Sequence, residues 1–441
     1  MFSKILIVLI FFIIDLSFPK SEELRDVLYD AYNFFPDIQK SKKELDISKK
    51  DLQISKTDFL PSLDFSASSG KNISKSFPDS SNRGVTALDP SKFDIDFTQP
   101  LGYDKVLNLK KSKNSFEISK LNFRSSVQNV LLKASNAYYT LLKDLFLLDV
   151  SKKNEENLQK KLEATEKRFE FRDVTKTDVF QAKARLAEAT SKRIEAENNL
   201  DISISEFKKI VGRNPNVNWF DSEDENILKS NPKDWSKFGL IPKIPSTLDD
   251  ALLTGLKNNP EYLKLQLEHV NSKIDIKKSN LAFAPEFSVT GSMGKSLESS
   301  RAIERKDSYS VTAEFTVPIF NKGHNIINLE KSKDTAVSNL KAIESKKLEL
   351  THLIKSSWKK IESTKASIQS LEISVDSNEM AVEGVSREAG VGTRTTLNIL
   401  DAEKELTQSE SNLVNAQYQL IISSFNLLKD CGILNFSYLG F

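Results

Sequence analysis

The feature that most narrows what this chain can fold into is a duplication written in its prolines. Pro36, Pro61 and Pro100 in the first half answer Pro260, Pro285 and Pro318 in the second. The first spacing is 25 residues in both halves; the second is 39 against 33, the difference falling in a polar stretch. Flanking residues agree: Phe35-Pro36-Asp37 with Asn259-Pro260-Glu261, Gln99-Pro100-Leu101 with Val317-Pro318-Ile319, and further on Gln181-Ala182 with Asp401-Ala402 and Gly212 with Gly432. No proline occurs from Leu101 to Asn214 or from Ile319 to Phe441. Proline breaks helix interiors, so two such stretches leave room for very long helices, and punctuation repeated at matching offsets marks a repeated unit.

Each half then parses alike. A short helix (22–33; 248–257) precedes a proline that can open a second helix (37–60; 261–284), because its missing N–H costs nothing there. Two strands follow. Leu63, Phe65 and Ala67 alternate with Asp64, Ser66 and Ser68, and Phe93, Ile95 and Phe97 with Asp94, Asp96 and Thr98. Phe287 and Val289, then Tyr309, Val311, Ala313, Phe315 and Val317, repeat the pattern, which predicts strands over 63–69, 92–99, 286–293 and 308–317 with one apolar and one polar face. The intervening segments 71–91 and 294–307 read as polar loops. Beyond each strand pair the apolar residues take up heptad-like steps. A helix over 102–169 or 321–389, about 68 residues at 1.5 Å each, reaches ~100 Å, and a return helix over 177–211 or 395–430 doubles back along part of it. Residues 213–246, with four prolines and two tryptophans, interrupt the repeat as a linker. Repeat 1 spans 22–212 and repeat 2 spans 247–441. The fold class is mainly α with a small β part.

Composition removes several functions. A formal net charge of +2 with acidic and basic residues interspersed supplies no positive field for nucleic acid. One cysteine, Cys431, and three scattered histidines, His269, His324 and His352, lack the spacing of a metal or haem site, and no nucleophile–base pair or phosphate-cradling glycine loop appears. The expectation is a non-enzyme without metal or cofactor, with Cys431 as a small buried residue. Lys4 followed by the apolar run Ile5–Ile14 reads as a signal peptide within residues 1–21, and no other stretch is apolar enough to span a bilayer as a helix.

Four strands cannot close a membrane barrel, which takes about eight at least. On the strands alone, two arrangements stay open: a small soluble sheet packed on helix, or a barrel shared by several copies. The signal and the acidic positions Asp64, Asp94, Asp96 and Glu314 favour the second, with one face toward water and one toward lipid. A secreted or surface coiled-coil adhesin or scaffold is the alternative, and it leaves the strand pairs without a purpose.

The segment from Arg387 to Glu403, Arg-Glu-Ala-Gly-Val-Gly-Thr-Arg-Thr-Thr-Leu-Asn-Ile-Leu-Asp-Ala-Glu, resembles the second-repeat signature of the TolC outer-membrane efflux family. Thr177-Asp178-Val179-Phe180-Gln181-Ala182 resembles its first-repeat counterpart, and Asn259-Pro260-Glu261 and Val317-Pro318-Ile319-Phe320 extend the likeness over nearly the whole chain after the signal. The resemblance implies a homotrimer with a 12-stranded outer-membrane barrel and a helical periplasmic tunnel. It would be the exit duct of an efflux or type I secretion system, partnered by a periplasmic adaptor, an inner-membrane pump and outer-membrane lipid. The turns near 171–176 and at Gly390, Val391, Gly392, Thr393 and Arg394 would form the periplasmic tip. Arg394 would act as the gate clasp, reaching Thr177 and Asp178, and Asp401 would ring the pore constriction. The chain departs from the family pattern where the companion acid is Asn398 and the locking tyrosine is Ala389, which implies a leakier and less cation-selective closed pore.

Overall fold

The structure is a computed structural model and describes residues 24–76, 84–216, 242–300 and 303–440. In chain order the elements are α1 Leu24–Phe34, α2 Pro36–Thr57, β1 Ser62–Ser69, β2 Asn72–Ser76, β3 Gly84–Leu88, β4 Ser91–Leu101, α3 Tyr103–Glu170 and α4 Lys176–Val211. The second half gives α5 Leu248–Asn258, α6 Pro260–Leu281, β5 Glu286–Ser300, β6 Ile303–Thr316, α7 His324–Gly390 and α8 Thr396–Asp430. The expected signal segment 1–21 and most of the linker, 217–241, lie outside the described residues. No described helix is long and apolar enough to cross a membrane.

The chain divides into two compact units, each drawing on both repeats. The first holds residues up to Ile38, then 127–255 and 352–441. Its core draws on five helices: Val27, Leu28 and Ala31 of α1, Tyr138 and Tyr139 of α3, Phe207 of α4, Ala251 of α5 and Phe425 of α8 are all fully buried. Tyr139 packs on Phe425 with ring centroids 5.9 Å apart. Along α4, Val179, Ala182, Leu186, Ala189, Ala196, Leu200, Ser203, Phe207 and Ile210 follow steps of three, four and, from Ala189 to Ala196, seven residues, a heptad seam whose alanines let the partner helices approach closely. The helix stops at Gly212, whose φ of +89° and contact with the Phe34 ring leave no room for a Cβ. Cys431 is buried as expected, its thiol bonded to the Ala251 carbonyl at 3.4 Å and its ionisation pushed up to about 12 by desolvation, with Asp430 adding to the shift.

The second unit, residues 39–126 and 256–351, carries the sheet. Its helix seams are unusually polar. The inward positions of α2 are Ser41, Leu45, Ser48, Leu52 and Ser55, a heptad of alternating serine and leucine, and Ile47 and Ile54 point outward at 57% and 60% exposure. Ser55 meets Ser112 of α3 at 2.5 Å, and at equivalent positions of the other repeat Ser279 meets Ser332 at 2.8 Å. Lys111 pairs with Asp275 at 2.6 Å, and Asn114 bonds Asn271 at 2.9 Å. Hydroxyls and amides that find each other cost little to bury.

The main sheet has the order β1-β4-β5-β6, antiparallel throughout, and β2 and β3 form a separate hairpin. The segments expected as loops are shorter than the sequence implied. Within 71–91, residues 72–76 and 84–88 pair as β2 and β3, and β5 and β6 continue together to a bulge between Leu297 and Ser300. The reason is compositional: Asn72-Ile73-Ser74-Lys75-Ser76 has Ile73 as its one apolar residue, so a strand there leaves no alternation to read.

Register sorts the two faces. Leu63, Phe97, Gly291 and Val311 form one cross-strand row, and Phe65, Ile95, Met293 and Tyr309 the next. Phe287 and Phe315 lie on the same face with ring centroids 4.9 Å apart. This apolar band is open to solvent in the single chain, with Val311 83% and Tyr309 73% exposed. It ends at a row where Lys295 faces Asp307. The opposite face carries Asp64 against Asp96 and Ser292 against Ser310. Like charges directly opposite one another are unfavourable unless water screens them, so this face is a wet one.

Candidate gate and constriction

The residues singled out from the sequence lie in the first unit, around the turns that join α3 to α4 and α7 to α8. The two turns are copies of one backbone design. Phe171 N–H donates to the Lys167 carbonyl, Arg172 to Phe169 and Asp173 to Arg168; Val391 donates to Arg387, Gly392 to Ala389 and Thr393 to Glu388. At the residue that must turn left-handed, the first repeat uses Arg172 at φ +59° and the second Gly392 at φ +83°. Phe171 and Val391, at equivalent points, are 84% and 78% exposed.

Each return helix begins with the same cap. Thr175 donates from its N–H and hydroxyl to Asp178 Oδ2 at 2.7 and 2.8 Å, and Asp178 N–H donates back to Thr175 Oγ1 at 3.3 Å. In the second repeat Thr395 makes the corresponding bonds to Asn398 Oδ1 at 3.1 and 2.8 Å. Asp178 and Asn398 are therefore counterparts, each the third residue of a capping box that holds orphan donors of the first turn. The substitution of amide for carboxylate at Asn398 keeps the cap and drops the charge.

Arg394 does not reach Thr177 or Asp178 within the chain. Its Nε donates to Glu388 Oε2 at 2.8 Å, across its own turn, and Thr393 Oγ1 donates to the Glu388 carbonyl at 2.8 Å. Gly390, Val391, Gly392 and Thr393 thus form a turn stapled by Glu388, and Ala389 is buried beneath it. Thr177 lies exposed on the first turn of α4, two residues past its cap.

Asp401 sits one residue beyond Leu400, which is buried against Leu158 of α3 and Ala189 of α4. That packing sets α8 on α4 so that Asp401 Oδ1 accepts from Arg185 Nη2 at 3.0 Å. Arg185 also meets Glu188 at 3.4 Å, and Glu188 meets Lys192 at 3.2 Å; the Glu188 carboxyl is held below the ordinary range by Lys192 first and Arg185 second. Two positions on from Asp401, Glu403 is buried with Lys161 3.7 Å away and one carboxylate oxygen without a hydrogen bond, and desolvation raises its pKa. Sequence reasoning missed Glu388, Arg185 and Glu403. Glu388 was within reach, six residues before Arg394 across a recognised turn; the other two depend on how separate helices register.

Comparison with known proteins gives a consistent result. A family model described as "Outer membrane efflux protein" matches residues 27–213 and 254–432, nearly all of both repeats. The chain is 22% identical to outer membrane protein TolC of Escherichia coli over 436 residues, covering 95% of this chain and 84% of the relative. It is also 22% identical to the alkaline protease secretion protein AprF of Pseudomonas aeruginosa, covering 77% of this chain and 69% of the relative. The crystal structure of the CmeC outer membrane channel of Campylobacter jejuni superposes with a TM-score of 0.78 at 17% identity, covering 93% of this chain and 86% of that one.

Proposed function

The chain belongs to the outer membrane efflux protein family, and from that premise we propose that it is the outer-membrane exit duct of an efflux or secretion system, a passive gated conduit without catalytic chemistry. The observation that carries this reading is the sheet: a four-stranded unit with an apolar band on one face and a carboxylate-lined face on the other. Its outer strands β1 and β6 each have a single partner among the described residues. Such a sheet is complete only when other copies cover its edges, lipid covers one face and water the other. Three copies supplying four strands each close a twelve-stranded barrel, within the range of outer-membrane barrels. The run from Phe93 to Leu101 is nine residues, the length a tilted membrane strand needs.

The two turns and the caps behind them form the gate in this reading. Arg394 spends one donor on Glu388, and its two Nη groups remain to engage Asp178 or Thr177 across the closed tip; a guanidinium can bridge two such partners at once. One exposed pair contributes about 0–1 kcal/mol, so the closed state depends on three symmetry-related clasps acting together. Asp401 lines the constriction, and Asn398 removes a second acid from it. An adaptor and an inner-membrane pump act at the periplasmic end, and they rather than the duct select the cargo.

Fractionation and electrophoresis test the reading directly. The expected product is a trimer in the outer-membrane fraction that migrates as a trimer in detergent unheated and as a monomer after boiling. Deleting the gene is expected to raise drug accumulation or to stop export of a secreted protein. A stable monomer that ignores lipid would sink the proposal.

A further inference from the structure

We infer that Arg185 is a selectivity residue of the duct, a built-in counter-charge that cancels the Asp401 ring at the constriction; this rests on the reading of Asp401 as pore-lining. The geometry is direct. Arg185 Nη2 lies 3.0 Å from Asp401 Oδ1, so wherever the carboxylate faces, the guanidinium faces with it. Neither group is buried out of reach, with side-chain exposures of 28% and 53%. Both are fixed from behind by the Leu158–Ala189–Leu400 cluster with Leu186, which sets the register of α4 against α8.

The charges around the pair close to zero. Arg185 and Lys192 on α4 are balanced by Glu188 on the same helix and Asp401 on α8, in a chain of contacts of 3.0, 3.4 and 3.2 Å. Three copies of a bare carboxylate would give a ring of three negative charges; three copies of this cluster give none. A unit charge about 7 Å from a permeating ion in water alters the ion's local concentration roughly threefold, and the effect acts in opposite senses on cation and anion. Removing one member of the pair from every copy therefore changes the cation-to-anion permeability ratio by roughly tenfold or more, and the member removed sets the direction.

The test is reversal potential in planar bilayers under a potassium chloride gradient, using the full-length trimer. The wild type is expected near equal permeability. Arg185→Gln is expected to become cation-preferring and to gain block by millimolar divalent cations, and Asp401→Asn to become anion-preferring. The double variant returns toward the wild-type ratio, and Arg185→Lys retains it. Circular dichroism and trimer migration of each variant separate a change of charge from a failure to fold, and a loss of packing alone has no reason to reverse its sign between the two single variants. If Arg185→Gln leaves the reversal potential unchanged while Asp401→Asn shifts it, Arg185 does not compensate the ring and the inference is overturned, leaving the duct intact. If both single variants leave it unchanged, the pair lies outside the conducting path and the inference is likewise overturned. If wild-type trimers give no conductance at all, the duct reading itself fails and takes this one with it.

Discussion

Arg172 and Gly392 occupy the same left-handed position in the two turns, and only one of them is suited to it. A side chain at positive φ costs about 1–2 kcal/mol, partly offset by the lower entropy of its unfolded chain. Arg172→Gly is therefore expected to stabilise the protein by about 0.5–1 kcal/mol, and Gly392→Ala to destabilise it by about 1 kcal/mol, measured by thermal unfolding of the detergent-solubilised protein. Glu403 gives a pH signature. Burial raises its folded-state pKa above the ordinary glutamate value, so the folded state binds the proton more tightly than the unfolded chain. Its contribution is most favourable below the unfolded value and is lost as pH rises through the raised folded one. Glu403→Gln is expected to remove this fall, raising the melting temperature at neutral relative to acidic pH and leaving the neutral protein as stable or more so; a variant less stable than the wild type at neutral pH would count against the assignment. Of the site, the turns were legible because their chemistry is local: Val-Gly-Thr-Arg marks a reversal before the second return helix, and the caps behind the turns became evident only in the structure. Arg185 was not legible, since it meets Asp401 only through the register of two helices that no single periodicity encodes.

At the scale of elements, the two faces of the sheet make opposite predictions for neighbouring residues. Val311 lies in the apolar band, and Ser310, one position away, points to the wet face opposite Ser292. Val311→Asp is expected to abolish assembly into the outer membrane, because a carboxylate in the lipid-facing row is strongly unfavourable, whereas Ser310→Asp leaves assembly intact. Outer-membrane fractionation of the two variants checks this, and equal behaviour would mean that neither face meets lipid. The period-two alternation made these faces readable from sequence. The hairpin of β2 and β3 was hidden because both strands are five residues long and β2 has Ile73 as its one apolar residue, too little to read as an alternation. The helix seams fall between these cases: the long rods α3 and α7 follow from heptad-like steps in proline-free stretches, but the serine-and-leucine seam of α2 is weakly apolar, and its partner becomes evident only when Ser55 is seen against Ser112.

For the whole molecule, the outward isoleucines of α2 and the single-partnered strands β1 and β6 point to association with further copies of the chain. Closure of a shared barrel requires β1 of one protomer to pair with β6 of the next. Cysteines introduced in pairs along these two strands are expected to form disulfides between protomers, and a pair on β4 and β5 to form them only within one. Cross-links between β1 strands of two copies would instead indicate a face-to-face dimer. Such work usually begins by deleting natural thiols. Here the native sulfhydryl is sealed against the Ala251 carbonyl and ionises only near pH 12, so it will ignore maleimides and oxidants at neutral pH. The natural sequence is already a silent background for labelling, and a fluorophore at Phe171 or Val391 would report from the proposed gate alone.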